Sequence, residues 1–307
     1  MTESRNNQNA FHRNKEKTMQ TLNTQQIGWI GLGQMGEPMA KHLLNNGVKV
    51  GVYNRSPEKA EEVVAAGGKR YSSVVELVKA HEVIFLMIAD YASVQQVLSP
   101  EVLAKAKGKV FVNMSTISPS QNQAVEALLA QHGAEFVEAP VSGSSKVAEA
   151  GKLLVLSAGK EEIIAQLKPL FAAFSTTTFY YGEVGKAGGI KLMINSLLGI
   201  FIQAYGEALN FASQYGIPKE QVIEMISGSF MNSQIFQAKV PMYLANEFQP
   251  AFMMKHMTKD FNLASEEIAK LGKSYPLIEQ ATKTYNQAND SGLSEVDMAA
   301  IYQFLAK

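Results

Sequence analysis

Within GEVGKAGGIKLMIN, residues 182–195, Lys191 and Asn195 stand four residues apart. On a helix that spacing puts both side chains on one face, where both can reach one ligand. The neighbours of Lys191 are Ile190, Leu192, Met193 and Ile194, an apolar setting for a charge. Two states suit such a lysine. It can lay its stem on a core and keep its head in water. Alternatively it can be desolvated, with its pKa drawn down from about 10.4. In the second state the amine can stabilise a developing oxyanion and exchange a proton near neutrality. Spacing alone leaves both states open. The glycines that crowd the start of the stretch would let the chain pass close to bound groups while the helix begins.

A second constellation lies nearer the N-terminus. The apolar run IGWI, residues 27–30, leads straight into GLGQMG, so Gly31, Gly33 and Gly36 fit G-x-G-x-x-G between a strand and a helix. The first glycine permits a tight turn, the second lets backbone approach a pyrophosphate, and the third lets helix and strand pack closely. The helix N-terminus then offers free N–H groups to phosphates. The following strand ends in Val52-Tyr53-Asn54-Arg55-Ser56. A carboxylate there would bind a ribose 2′-hydroxyl, and none is present. Arg55 can instead pair with a 2′-phosphate, with Asn54 and Ser56 as hydrogen-bonding neighbours, so NADP(H) is expected over NAD(H).

The elements that must position these groups follow from periodicity. Strand signals at 27–30, 48–53, 83–88, 109–114, 134–139 and 153–158 alternate with helical stretches such as 37–46, 57–66 and 118–132. That alternation predicts an α/β domain, a mostly parallel sheet of Rossmann type with helices on both faces. Beyond about residue 185 strand signals stop, and helical patterns run over 188–214, 218–228, 233–245, 255–271, 276–290 and 294–305. The expected organisation is a dinucleotide-binding domain over 27–184 and an all-α domain over 185–307, joined by a long interdomain helix. Residues 1–26 are polar and lack the apolar stretch of a secretory signal, so a disordered leader is expected there.

Composition narrows the function classes. Hydrophobic residues make up 46% of 307, enough for a sizeable core. Basic and acidic residues balance at 28 each, which gives no sign of a nucleic-acid or anionic-membrane partner. There is no cysteine, and no two of the five histidines have the spacing of a metal pair on a helix, so no metal site is expected. No run of about 18 apolar residues suggests a membrane span, and a cytoplasmic setting is the expectation.

With GLGQMGEPMA, the segments NMSTISP (113–119), EAPVSGSSKVAEAG (138–151), GGIKLMIN (188–195) and HMTKDFNLA (256–264) resemble the β-hydroxyacid dehydrogenase family. The resemblance runs from about residue 27 to the C-terminus. It looks closest to the glyoxylate/succinic semialdehyde reductase branch, although a proline usual in that branch is missing after Asp90 and another within Ser144–Val147. The resemblance implies that Lys191 is catalytic and that Asn195 helps hold substrate. It implies that Ser142 and Gly143 bind a substrate carboxylate, with Thr116 and Asp260 close by. Cofactor contacts are implied for Gly31, Leu32, Gly33, Gln34, Met35 and Gly36, for Asn54, Arg55 and Ser56, for Ile88, Ala89, Ser115 and Thr116, and for Lys259. It also implies a small carboxylate-bearing aldehyde or hydroxy acid as substrate and a homodimer or homotetramer.

On that basis the expected reaction is NADPH-dependent reduction of a small aldehyde acid, with Lys191 as the acid in reduction and the base in oxidation. The alternatives are an NAD(P)-dependent 3-hydroxyisobutyrate or tartronate semialdehyde enzyme, an imine reductase, and a non-catalytic NADP-binding assembly module. The lysine argues against the last two, since imine reductases usually carry another residue there and non-catalytic relatives lose it. Met253, Met254 and Met257 read as helix packing. His256 reads as a polar helix residue near the cleft. Phe230, Met231 and Phe252 read as core, with a pocket wall as their other possible place.

Overall fold

The computed structural model describes residues 21–306. Nine strands are present among them: β1 (Gln26–Ile30), β2 (Lys49–Tyr53), β3 (Lys69–Arg70), β4 (Val83–Leu86), β5 (Val110–Asn113), β6 (Glu135–Glu138), β7 (Val141–Ser142), β8 (Leu153–Gly159) and β9 (Ser175–Tyr180). The first six pair in parallel in the order β3-β2-β1-β4-β5-β6. That order reverses direction between β1 and β4, the switch point at which doubly wound sheets bind ligands. β8 joins antiparallel to β6 and carries β7 antiparallel and β9 parallel. The expected parallel sheet is present; β3, β7 and β9 add to it.

β4 and β5 are buried along their whole length, so their sequences VIFL and VFVN are nearly continuous apolar runs. Alternate residues feed opposite faces of the sheet. Val83 and Phe85 join Trp29, Phe171 and Phe174 in one core, and Ile84 and Leu86 join Phe111 and Phe136 in the other. Trp29, the single tryptophan, stacks on Phe85 with ring centroids 5.2 Å apart and meets Phe174 edge-on at 6.3 Å. Contacts of that kind add about 1 kcal/mol each to the burial of the rings.

The helices of nine or more residues are α1 (Gly36–Asn45), α2 (Pro119–Gln131), α3 (Glu161–Ala172), α4 (Lys186–Ser213), α5 (Lys219–Ser227), α6 (Gln234–Ala245), α7 (Met254–Lys270) and α8 (Pro276–Ala288). α2 starts where Ser118, Pro119 and Gln121 say it should, with a reciprocal capping box between Ser118 and Gln121. The 57–66 helix begins as a 3₁₀ turn over Pro57–Ala60 and becomes α-helical only at Glu61–Ala65. The 294–305 helix does not form as one piece. Asp297 is extended, and the helical part is a 3₁₀ turn over Met298–Ala300 followed by Ile301–Leu305. The polar leader falls mostly on residues 1–20, outside the described residues. Residues 21–26 do not fit it: Leu22 packs on the sheet core and β1 already starts at Gln26.

α4 organises the second half of the chain. Its 28 residues are apolar enough, by composition alone, to cross a membrane, with a mean hydropathy of 1.4 over 18 residues. Here half of that stretch is buried inside the protein. α7 and the 298–305 segment pack along α4, and Phe236, Met254, Met257, Phe261 and Tyr285 fill the core between them. The outer face of α4 carries Met193, Leu197, Phe201 and Phe211, with Tyr215 just beyond its end, and all five are exposed.

The start of α4 is tied to the sheet by one carboxylate. Glu138, at the end of β6, is fully buried and accepts N–H bonds from Gly185, at 2.5 Å, and Gly188. Gly185 needs its glycine, with φ at +102°, and a Cβ on Gly188 would lie 2.7 Å from the Glu138 Oε1. Burial pushes the Glu138 carboxyl up to about 7, against the two glycine N–H groups that pull it down. An acid raised on folding binds its proton more tightly in the folded state. The stability this adds is complete below about pH 4.5 and is lost as pH rises to about 7, a difference of about 3 kcal/mol. The thermal stability of the natural protein is therefore expected to fall between about pH 5 and pH 8 more steeply than that of Glu138→Gln. Equal slopes in calorimetry would exclude this role for Glu138.

Candidate active site

A cleft of about 660 Å³ opens at the switch point, between the C-terminal ends of β1, β2, β4 and β5 and the helices α4 and α7. Its floor is the glycine loop. Gly31 sits at φ +100°, and a Cβ there would lie 2.1 Å from the Met87 carbonyl oxygen. A Cβ on Gly36 would lie 2.1 Å from the Gly31 carbonyl oxygen. Gly33 differs: a Cβ there would meet nothing within 4 Å. Gly31 and Gly36 thus make the turn, while Gly33 keeps backbone open to an incoming phosphate. The Trp29 indole donates to the Gly31 carbonyl at 2.9 Å, which ties the loop to the core.

Gln34 and Met35 line the cleft beside the glycines. Leu32 does not. Its side chain is buried in the core, and its N–H donates to the Asn54 Oδ1 at 2.8 Å. The Asn54 amide also donates to the Ser56 carbonyl at 2.9 Å, so Asn54 braces the loop against the end of β2. Arg55 and Ser56 line the cleft nearby, joined by Lys59. On the opposite wall the Ile88 N–H donates to the Ser115 Oγ at 3.0 Å. Ala89 and Thr116 complete that wall. An open glycine turn at a helix N-terminus, with Arg55 and Lys59 in the same cleft, fits the phosphates of a dinucleotide.

Lys191 is only 8% exposed and reaches the cleft from α4. Its Nζ donates to the Asn195 Oδ1 at 3.0 Å. The Asn195 amide donates in turn to the Asp260 Oδ2 at 2.6 Å, from α7. Lys259 bridges the domains: its Nζ donates to the Thr116 carbonyl at 2.6 Å and lies 2.9 Å from the Asp260 Oδ1, an ion pair by distance but outside hydrogen-bond geometry. Burial draws the Lys191 ammonium down to about 8, Asp260 resists the fall, and Lys259 adds to it. At pH 7 the protonated form still leads by about tenfold. A lysine held there can give up a proton near neutrality and take one back.

Gly143 and Val141 line the cleft; Ser142, between them, lies in β7 opposite Leu154 and is not part of the lining. Gly143 has φ +142°, and a Cβ would lie 2.7 Å from Leu153. Ala251, Phe252, Met253 and His256 form the wall facing them. Met253 is thus a lining residue, whereas Met254 and Met257 are core as expected. Phe252 stacks on His256 with centroids 6.3 Å apart. Phe230 is 102% exposed and Met231 65%, so neither is core and neither lines the cleft. Among the described residues no cluster suits a metal ion.

Residues 26–182 match the NAD binding domain of 6-phosphogluconate dehydrogenase. Residues 185–305 match the sequence family described as NAD-binding of NADP-dependent 3-hydroxyisobutyrate dehydrogenase. The chain belongs to the β-hydroxyacid dehydrogenase family. Its similarity to the chloroplastic glyoxylate/succinic semialdehyde reductase 2 of Arabidopsis thaliana is 31% identity, covering 94% of this chain and 81% of that protein. In structure it resembles Psf3 in complex with NADP+ and 2-OPP, with TM-score 0.83, 28% identity and 91% and 99% of the two chains covered. It resembles 3-hydroxyisobutyrate dehydrogenase from Mycobacterium tuberculosis, with L-serine, equally well: TM-score 0.83, 27% identity, and 92% and 99% covered. It is an NAD(P)-dependent oxidoreductase acting on CH–OH groups, a β-hydroxyacid dehydrogenase with a small carboxylate substrate.

Lys59 and Glu138 were not singled out in the sequence. Lys59 had a usable signal, a cation one helical turn after Arg55. Because Asp260 holds the Lys191 proton in place, Asp260→Asn is expected to lower the Lys191 titration further below about 8. NMR of ¹³C-methylated lysines reads this directly, and an unmoved or higher value would contradict the coupling.

Proposed function

We propose that this chain reduces a small aldehyde acid of the glyoxylate or succinic semialdehyde type to the hydroxy acid, with NADPH preferred over NADH and Lys191 as the proton donor. The observation that carries this is the buried Lys191 ammonium, drawn down to about 8 and hydrogen-bonded to Asn195 in the cleft beside the glycine loop. A nicotinamide bound there supplies the hydride. Lys191 meets the carbonyl oxygen, steadies the charge that develops on it and passes it the Nζ proton. Asn195 holds the Nζ through its Oδ1, and Asp260 holds Asn195, so the donor is aimed before substrate arrives. The backbone at Gly143, just after Ser142 in β7, receives the substrate carboxylate. Thr116 borders the same space, fixed through its carbonyl by Lys259.

The cofactor preference is supported by the end of β2, where no carboxylate stands and where Arg55 and Lys59 both line the cleft. Asn54 braces the loop from within the lining, and Arg55, Ser56 and Lys59 stand beside it as phosphate partners. The exposed apolar side chains along α4, Met193, Leu197, Phe201 and Phe211, support assembly into a homodimer or homotetramer, since an apolar row of this length is rarely left in water. Phe201→Glu is expected to lower the sedimentation coefficient; an unchanged value would remove α4 from the interface.

The deciding experiment is a panel of glyoxylate, succinic semialdehyde, tartronate semialdehyde and malonic semialdehyde with each cofactor, read as kcat/KM. NADPH is expected to exceed NADH, and equal values would overturn the role of Arg55. Lys191→Ala is expected to lose about 10²- to 10⁴-fold in kcat with its fold intact. Turnover close to the natural enzyme would reject Lys191 as donor.

A further inference from the structure

Behind the cleft wall formed by Ala251 and Phe252, a buried carboxylate is used by backbone. Asp297 is fully buried and Lys239, on α6, is 3% exposed. Lys239 Nζ donates to the Asp297 Oδ1 at 2.7 Å, and the Ala299 N–H donates to the same oxygen at 3.0 Å. The other oxygen, Oδ2, accepts the N–H groups of Ala251 and Phe252, each at 3.0 Å. Four donors converge on one carboxylate, two of them consecutive peptides of the cleft wall. The main chain repeats the connection: the Asp297 N–H donates to the Phe248 carbonyl at 3.0 Å and the Met298 N–H to the Phe252 carbonyl at 2.9 Å.

We propose that Asp297, backed by Lys239, is a positioning residue that sets the substrate wall of the cleft by holding the backbone of Ala251 and Phe252. Three observations carry it. Ala251 and Phe252 line the cleft, and Phe252 stacks on His256, another lining residue, so a shift of this backbone moves the wall. The wall segment lies in the stretch between α6 and α7, with no helix of its own to fix it. The carboxylate is also an expensive way to fill that space. A buried ion pair adds little net stability over apolar packing, so its use here favours a role in fixing position. Only a side chain with an acceptor on both oxygens satisfies the two peptides on one side and the Lys239 Nζ on the other.

The inference rests on the proposed function in one respect, that the acid substrate occupies this cleft, and the test separates the two. Asp297→Asn puts an NH₂ group against one pair of donors. Hydrogen–deuterium exchange of peptides covering 249–255 is expected to accelerate about tenfold, the equivalent of one net hydrogen bond lost, while peptides covering β4 and β5 stay protected. In steady-state kinetics the KM for the preferred aldehyde acid is expected to rise about tenfold, with the KM for NADPH within twofold of the natural enzyme. Should Asp297→Asn not fold, the double variant Asp297→Asn, Lys239→Met removes both charges together and is read in the same two ways. Unchanged exchange over 249–255, or faster exchange everywhere at once, overturns the proposal. So does an unchanged substrate KM in a variant whose wall exchanges faster. If the natural enzyme turns over none of the aldehyde acids, the proposed function fails, and local exchange alone still decides whether Asp297 holds the wall.

Discussion

A lysine can sit in an apolar helix only if its surroundings return part of what water gave it. Lys191 shows both halves of that constraint. Burial loosens its proton, and Asp260 restrains the loss. Nearly everything else in the site serves this balance. Asn195 places an amide between the amine and the carboxylate, so that Asp260 is felt without pairing directly. A direct ion pair would favour the charged lysine more strongly and hold the proton more firmly. Lys259 sits on the other side of Asp260, shares its charge and pushes the Lys191 proton off. It also reaches Thr116 across the cleft, so the electrostatic setting depends on the two domains keeping their distance.

That distance is set at the start of α4. Glu138 grips the first turn of the helix from the sheet side, and Ser120, Glu267 and Lys270 join the domains near the outer edge, with the Ser120 hydroxyl 2.6 Å from Glu267 and 2.7 Å from Lys270. A helix N-terminus favours a negative charge. At Glu138 desolvation outweighs that preference and the raised carboxyl is the result. Burial thus acts in opposite directions on two groups at the start of α4, up on the β6 acid that holds its first turn and down on the amine in its second turn. Both values fall near neutrality, about 7 and about 8.

Much of this was legible in the sequence because the residues concerned announce themselves locally. A glycine at a fixed offset after a strand, a cation where an acid usually stands, and a lysine in an apolar helix are each anomalies that a short window reveals. The sheet strands of the interior were legible for the same reason, as unbroken apolar runs. β9 was not. Its sequence STTTFY is half-exposed or exposed throughout, and a strand with no buried face has no period to detect. The inward turn of the Leu32 side chain was not legible because a motif describes a loop, while the direction of each side chain in it depends on what packs behind. Phe230 and Met231 were misassigned because apolar type says nothing about which apolar side chains stay in water.

The residues that stayed hidden share another property: their partners are distant in sequence. Glu138 meets Gly185 47 residues on, and Asp297 meets Lys239 58 residues back. Neither acid has a neighbour that would mark it. Asp297 interrupts what reads as one helix over 294–305, and the reason lies elsewhere, in the peptides of the cleft wall that use its carboxylate. This asymmetry bears on how chemistry and substrate choice separate in the fold. Lys191 lies on a regular helix and the glycine loop runs between a strand and a helix, and both have local signatures. The wall that a substrate's far end would meet is a connecting segment, placed by contacts from the end of the chain. Changes near residue 297 could therefore reshape that wall without touching Lys191, and similarity in the motifs then carries reaction type more securely than it carries the identity of the acid.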